Sequence, residues 1–486
     1  MADELNIPTH RWYQKRNHIA LAKEDFSRQF IYDSGIQKID AWINSQPWGD
    51  VYIVNRLSPP LVLDFDDTYY RTGGTATDLV SAATHARASD ATYVDADGIL
   101  QTAGINEPRV GHHIWNGSAW VDEGYFHEGE ARTNLVTYSE DFTDASWVSP
   151  YGENETVELD AEISPSGTTS ATRLSDDAST GTGAVQIGQS VTVATSTDYT
   201  FSVFAKADNL NWIVLRPALF TTPSAQNTYF DLANGTIGTI GSSQTASVQD
   251  CGSGWYRCSI TFTTDASDTN GAVVIRLADA DGDEAVDLDG TSSVLIYGAQ
   301  FEKGSTPSSY IPTNSGATVT RAADTLTILS ANLPWNPLAV SIQMEGKMTY
   351  AETGTAGSTS GGSGDAVFYL LKENSSNYLE AVLATNNAQD VISFAQESSG
   401  VRDVVALFFG PTPGVNVPFN ISSRHGSTFL NGAVDGVALT EDTTPVALPD
   451  LSATDMDIGF DFMGTIKLFR VWADDLTDAG IEDASA

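Results

Sequence analysis

Five aspartates crowd into the stretch ADADGDEAVDLDG: Asp279, Asp281, Asp283, Asp287 and Asp289. Hard oxygen ligands at alternating positions are what a calcium ion takes. The EF-hand pattern fails, because counting from Asp279 puts Glu284 where that loop needs glycine. It also puts Gly290 where the loop needs its closing glutamate. Two readings follow: a weak calcium site, or a solvated acidic loop between the apolar runs AVVIRLA and SVLIYGAQF. A second, lesser acidic knot is DFDD at Asp64–Asp67. No other cofactor is expected.

The remaining chemistry-bearing types are scattered. His112 and His113 are adjacent, so on a strand they point to opposite faces and cannot readily share one metal. The Gly-rich run GSTSGG at Gly357–Gly362 has the wrong spacing for a nucleophile elbow. Glycosidases need a carboxylate pair at fixed separation, and 63 acidic residues do not reveal such a pair. No phosphate loop, zinc spacing or dinucleotide fingerprint occurs. No catalytic residue is assigned, and the expectation is a protein that is not an enzyme. Sugar binding would use aromatic faces with amide and carboxylate hydrogen bonds. Trp212, Tyr229, Trp335 and Tyr378 are the candidates, with burial between sheets as the competing reading. Trp147, Trp255 and Trp472 are expected in the core.

The elements that must carry these residues are mostly strands. Thr, Ser, Val, Gly and Asp dominate, and turn residues recur at short intervals over 486 positions, too many for one core. Arg109–Val121 places Asn116-Gly117 between two aromatic-bearing strands, a hairpin signal. Tyr199–Ala207, Trp255–Thr263, Ala272–Ala278 and Ser293–Phe301 read as further strands. A second series follows from Thr325 to Val471, with a hairpin turn at Asn431-Gly432. Thr313–Asp324 reads as a linker and Glu352–Asp365 as a flexible low-complexity loop. Thr477–Ser485 predicts a short closing helix. The only other helical territory is at the start, where Ile19, Ala22, Phe26, Phe30 and Ile31 make an apolar stripe over Asn17–Asp33. A shorter candidate runs from Ser34 to Asn44.

Charge divides the chain in the same way. Residues 1–60 hold seven basic and seven acidic residues, so the net charge of −39 lies entirely beyond them. Such an acidic body argues against nucleic-acid phosphates and against anionic membranes as partners. The neutral, aromatic-rich head is expected to dock onto another chain. No run of 18 apolar residues occurs, and the first residues lack a signal-peptide core, so synthesis in the cytoplasm without membrane insertion is expected. Cys251 and Cys258 flank a GSG turn that could close a disulfide, but two reduced thiols, one buried on a strand, are the favoured reading.

Several motifs in sequence order carry a resemblance. TNLVTYSEDF, opening within EARTNLVTYSEDFTDASWV, then TSATRLS, YTFSVFAKA, TYFDLANGTIGT, GWYRCSITFT and DGTSSVLIYGAQFEKGS resemble a carbohydrate-binding-like β-sandwich module. That module occurs in head-spike and fibre proteins of tailed phages. RASDATYVDADGILQTAGINEPRV resembles the β segment that precedes it. Downstream, VPFNISSRHGSTFLNGAVDG, MDIGF and GTIKLFRVWADDLTDAGIE resemble a concanavalin A-like or laminin G-like sandwich. The fold expected is mainly β, two antiparallel jelly-roll sandwiches in tandem behind a small helical anchor. The boundaries are 1–60 for the anchor, 61–129 for a connecting hairpin region, 130–320 for the first sandwich and 325–486 for the second.

The resemblance implies a virion fibre or spike of head, tail or baseplate, made in the host cytoplasm and attached to other virion proteins through residues 1–60. It implies a role in recognising host-surface polysaccharide, and fibre logic favours a homotrimer. The alternatives are a polysaccharide-degrading tailspike enzyme, whose acids would sit in the C-terminal sandwich, and a purely decorative or stabilising component. The family carries no fixed set of sugar-contacting residues, so no binding residue follows from it.

Overall fold

The computed structural model describes residues 13–15, 18–20, 59–148, 151–349, 365–384, 391–408 and 416–486. It is mainly β, built from antiparallel sheets, and forms two units. One unit comprises residues 87–123 and 130–323, and the other comprises 1–86, 124–129 and 324–486. The connecting region expected over 61–129 is therefore not a separate element. Its strands divide between the two units, and the first unit's stretches interrupt the second along the chain. Burial gives the reason: Leu61, Val62 and Leu63 are fully or almost fully buried, and so short an apolar strand is satisfied only inside a larger sheet.

In the 87–123/130–323 unit two sheets face each other. The larger runs in the order Glu155–Ile163, Thr169–Asp176, Ser293–Lys303, Asp198–Ala207, Trp255–Thr263, Thr245–Asp250. The smaller runs Gln186–Thr192, Asn270–Ala278, Trp212–Ala218, Thr228–Asp231, Thr236–Ile237. Strict alternation sends Phe201, Val203, Ile260, Phe262 and Phe301 from one sheet against Ile187, Ile213, Leu215, Val273, Ile275 and Leu277 from the other. The Asn116-Gly117 hairpin forms as expected, pairing Trp115 with Trp120.

The opening motif closes this sandwich. Phe142 and Trp147 are fully buried, with Val136 beside them, while Leu135 is only half-buried. Asn134 is spent entirely on backbone: its amide donates to the carbonyls of Ala299 and Ile311, and its oxygen accepts from Val136 and Phe301. Val319–Arg321 pairs with Arg132–Asn134, so the expected linker over Thr313–Asp324 is partly a strand. Arg321, buried and donating to the Glu130 carbonyl, holds it there.

In the other unit, one sheet runs Val437–Ala438, Leu430–Val434, Pro418–Gly426, Ala339–Met348, Met463–Trp472, Leu61–Asp64, Tyr69–Thr72, Thr75–Thr77. Tyr125–Glu128 also pairs with Met463–Trp472. The facing sheet runs Val401–Phe408, Val391–Ser398, Asn377–Ala384, Asp365–Asn374, Met456–Ile458, Thr325–Ile328, Thr84–Ala86. Phe368, Phe419 and Phe462 interlock between them. Asn431-Gly432 is not the expected turn. Both lie inside Leu430–Val434, where the Phe394 ring leaves no room for a side chain at Gly432. The turn is at Asp435-Gly436 instead, both at positive φ. Thr477–Ser485 is the closing helix, packing Ile481 and Ala484 on Trp472 and Ala433. At the chain start, His18–Ala20 pairs with Tyr13–Lys15 as strands, where the apolar stripe predicted helix. The rest of that stripe runs over positions 21–33. Those positions, the Ser34–Asn44 candidate and nearly all of the Glu352–Asp365 loop lie outside the described residues.

Candidate functional site

The outward face of the smaller sheet of the 87–123/130–323 unit gathers the chemistry. The alternation that buries Ile213, Leu215, Ile275 and Leu277 sends Trp212, Val214, Arg216, Arg276 and Ala278 the other way. Register sets the rows. Gln186 pairs with Arg276, Arg276 with Val214, and Val214 with Tyr229. One row along, Gly188 pairs with Val274 and Val274 with Arg216. Small side chains fill the middle: Ala218, Ala272 and Val274 form one patch under Tyr151, and Val214 and Ala278 another beside Trp212 and Tyr229. A side chain on Gly188 would meet the Val273 carbonyl and the Tyr151 Cβ, which accounts for glycine at that point.

A polar network crosses this floor. Arg276 donates through Nε and Nη2 to Gln186 Oε1 at 3.0 and 2.5 Å, and its Nη1 lies 3.4 Å from Glu284 Oε1. The Tyr229 hydroxyl donates to Glu284 Oε2 at 2.7 Å and accepts from Asn227 Nδ2 at 3.3 Å. Arg276 is 7% exposed, and burial lowers its pKa, with the nearby Arg216 charge acting in the same direction. The Tyr229 hydrogen bond holds the Glu284 carboxyl below its ordinary range. Burial, followed by Glu284, raises the Tyr229 phenol. Trp212 and Arg216 are half-buried on the same face. An aromatic flank, fixed amide and carboxylate groups and guanidinium donors can hold a polyhydroxylated ring.

The five clustered aspartates do not converge. Asp281 accepts from the amide and hydroxyl of Thr239, at 2.7 and 3.1 Å. Asp283 caps its own turn by accepting from the Ala285 amide, and Asp289 accepts from the amide and hydroxyl of Thr291. Asp279 and Asp283 pair through backbone, and Asp287 lies exposed on the two-residue strand Val286–Asp287. Among the described residues no group of three or more His, Cys, Asp or Glu could hold a metal. The acidic stretch is a loop whose contribution to the face is Glu284, the acidic residue that the aspartate pattern left out. Asp64 likewise serves a turn, accepting from the Asp67 amide.

The other candidates are placed as follows. Tyr378 is buried on the outward face of Asn377–Ala384, where burial pushes its phenol up. It neighbours Glu380, which is 2% exposed, raised by burial and ion-paired with Arg402 at 2.8 Å. Trp335 is half-buried in a loop. Trp147, Trp255 and Trp472 are core residues, as expected. His112 accepts from the Val94 amide and His113 bonds the Gly111 carbonyl, so the pair is separated. Cys251 and Cys258 are free thiols; burial pushes Cys251 up to about 12 and Cys258 likewise upward. The GSG between them turns the hairpin pairing Asp250 with Tyr256. Sequence reasoning missed Gln186, Arg216, Arg276 and Glu284. One signal was present: in WIVLRPA and AVVIRLA an arginine interrupts each otherwise apolar strand, on the face opposite the core.

No family model matches the chain, and no curated protein matches it. Among solved structures, the chain is similar to the Ruminococcus gnavus IT-sialidase CBM40 bound to α2,3-sialyllactose. The identity is 10% and the TM-score 0.25, over 31% of this chain and 84% of that one. It is similar to full-length tailspike protein 2 of the Escherichia coli O157:H7 bacteriophage CAB120, with 10% identity and a TM-score of 0.20. That match covers 30% of this chain and 22% of that one. Domains LG4-5 of the mouse laminin α1 chain give 7% identity and a TM-score of 0.20 over 57% and 83% of the two chains. Likenesses at this level carry no functional argument.

Proposed function

We propose that this chain is a fibre or spike subunit of a tailed-phage virion that binds host-surface glycan through the outward face of its five-stranded sheet. The observation that carries this is the half-exposed Trp212 beside the Arg276–Gln186–Glu284–Tyr229 network, on a floor of small side chains. A sugar ring stacks its apolar face on the indole while its hydroxyls meet the fixed donors and acceptors. The ordered series of phage-module motifs along the sequence supports the virion assignment. Residues 1–60 attach the chain to neighbouring virion proteins, and a trimer presents three faces, so that weak single sites gain avidity. The face binds rather than cleaves. In the other unit the buried carboxylate Glu380 is closed off by Arg402, which leaves it poorly placed as a catalytic acid.

The test is direct. Purified full-length protein, applied to an array of bacterial surface polysaccharides, is expected to bind a subset, and Trp212→Ala is expected to weaken every bound spot. Reducing ends released beyond a boiled control would replace binding with hydrolysis. Binding that ignores Trp212 would move the site elsewhere. Immunogold labelling of assembled particles tests the virion assignment independently.

A further inference from the structure

Resting on the glycan-binding reading of this face, we propose that its ligand is acidic, a polysaccharide bearing carboxylates that Arg216 receives. Arg216 makes no hydrogen bond or ion pair among the described residues, and its Nε is buried without a partner. A buried donor left unmade is costly, and a guanidinium fork meets a carboxylate through two parallel bonds. Arg276 lies diagonally across the register, since Arg216 pairs with Val274 while Arg276 pairs with Val214. Diagonal neighbours stand about 7–8 Å apart, within reach of long side chains.

The two arginines are not equivalent. Arg276 is spent on Gln186 and Glu284. Its charge is largely answered inside the protein, whereas that of Arg216 is open. Glu153, exposed on the bridge it forms with Gln186, is the remaining acidic group whose charge acts on Arg276. An unanswered cation on a chain of net charge −39 is the reverse of what solubility alone would select. The distant acidic surface does not forbid an anionic ligand, because charges are screened beyond about 8 Å at physiological ionic strength. Val214, between Arg216 and Trp212 on the same strand, is itself buried, so a ligand meets this face at its half-buried side chains, Trp212 and Arg216.

The experiment uses the full chain on an array holding acidic polysaccharides, the same polysaccharides with carboxyls reduced to alcohols, and neutral glycans. Bound spots are expected to be acidic and to lose signal on carboxyl reduction. Arg216→Gln should weaken them by about ten- to a hundredfold, and Arg216→Lys by less, since it keeps charge but loses the fork. Glu153→Gln should tighten the same spots by about two- to fivefold, a gain that damage to the fold would not produce. Equal binding to native and carboxyl-reduced forms would overturn the acidic assignment and leave the glycan-binding face standing. Silence on all spots would overturn both.

Discussion

Glu284 accepts a hydrogen bond from the Tyr229 hydroxyl at 2.7 Å, which ties the acidic loop to the face of the sheet. Because that bond favours the ionised carboxylate, Glu284 titrates below its ordinary value of 4.5. The unfolded chain then binds the proton more readily, so the latch stabilises the fold above about pH 4.5 and is lost as pH falls below it. Urea midpoints of the parent and Glu284→Gln should differ at pH 7 and converge in acid. A difference that persists unchanged at pH 3 would refute the latch.

Trp212 joins a small cluster with Val214, Tyr229 and Ala278 rather than the central core. Trp212→Ala is therefore expected to cost little stability and about tenfold in glycan affinity. Thermal unfolding alongside array binding separates the two. A large drop in melting temperature with unchanged binding would make it a packing residue.

Trp147 is fully buried against Phe142, and its indole nitrogen donates to the Tyr138 carbonyl at 2.9 Å. Tyr138 itself sits at φ 50, a strained setting for a bulky residue that this bond helps to hold. Trp147→Ala should destabilise by about 3–5 kcal/mol. Trp147→Phe should cost less, with about 1 kcal/mol from the missing N–H bond. Denaturant unfolding measures both, and equal losses would show that the hydrogen bond, which both variants lack, outweighs the packing of the ring.

His425 is fully buried between Tyr369 and Ser423, its Nε2 lying 3.1 Å from the Ser423 hydroxyl. Burial keeps the ring neutral, with its pKa lowered from 6.5 to about 3. Between those values the unfolded chain is protonated and the folded chain is not. Stability should fall as pH drops through that window, by up to about 1.4 kcal/mol per pH unit. Denaturant midpoints measured from pH 7 to 4 should fall less steeply for His425→Gln than for the parent.

Much of the fold was legible, because alternation is written locally. YTFSVFAKA, WYRCSITFT and the helix Thr477–Ser485 announce themselves in a few residues, and Trp147 reaches the core as expected. What failed depended on distant partners. Asn431-Gly432 has the composition of a turn, but Phe394 from the facing sheet makes it the middle of a strand. The site failed for a related reason. Aspartates are conspicuous in sequence, yet Asp283 and Asp289 serve their own turns and Asp281 a neighbouring loop, whereas Gln186, Arg216, Tyr229, Arg276 and Glu284 meet only after four strands and a loop are in register. A single arginine in an apolar strand was the visible trace.

The pairing of Leu61 with Val471 also sets an order of synthesis. A ribosome adding 5–20 residues per second needs roughly 20 to 80 seconds to cover the ~400 positions between them. Throughout that interval Leu61–Asp64 lacks the Met463–Trp472 strand, while residues 130–323 emerge with every strand of their two facing sheets. The sandwich bearing the Arg216 face can therefore mature first. The other unit closes only when its last strand leaves the tunnel, so a nascent chain cut short before Met463 would leave the apolar Leu61–Asp64 paired along one edge alone, for chaperones and proteases to find.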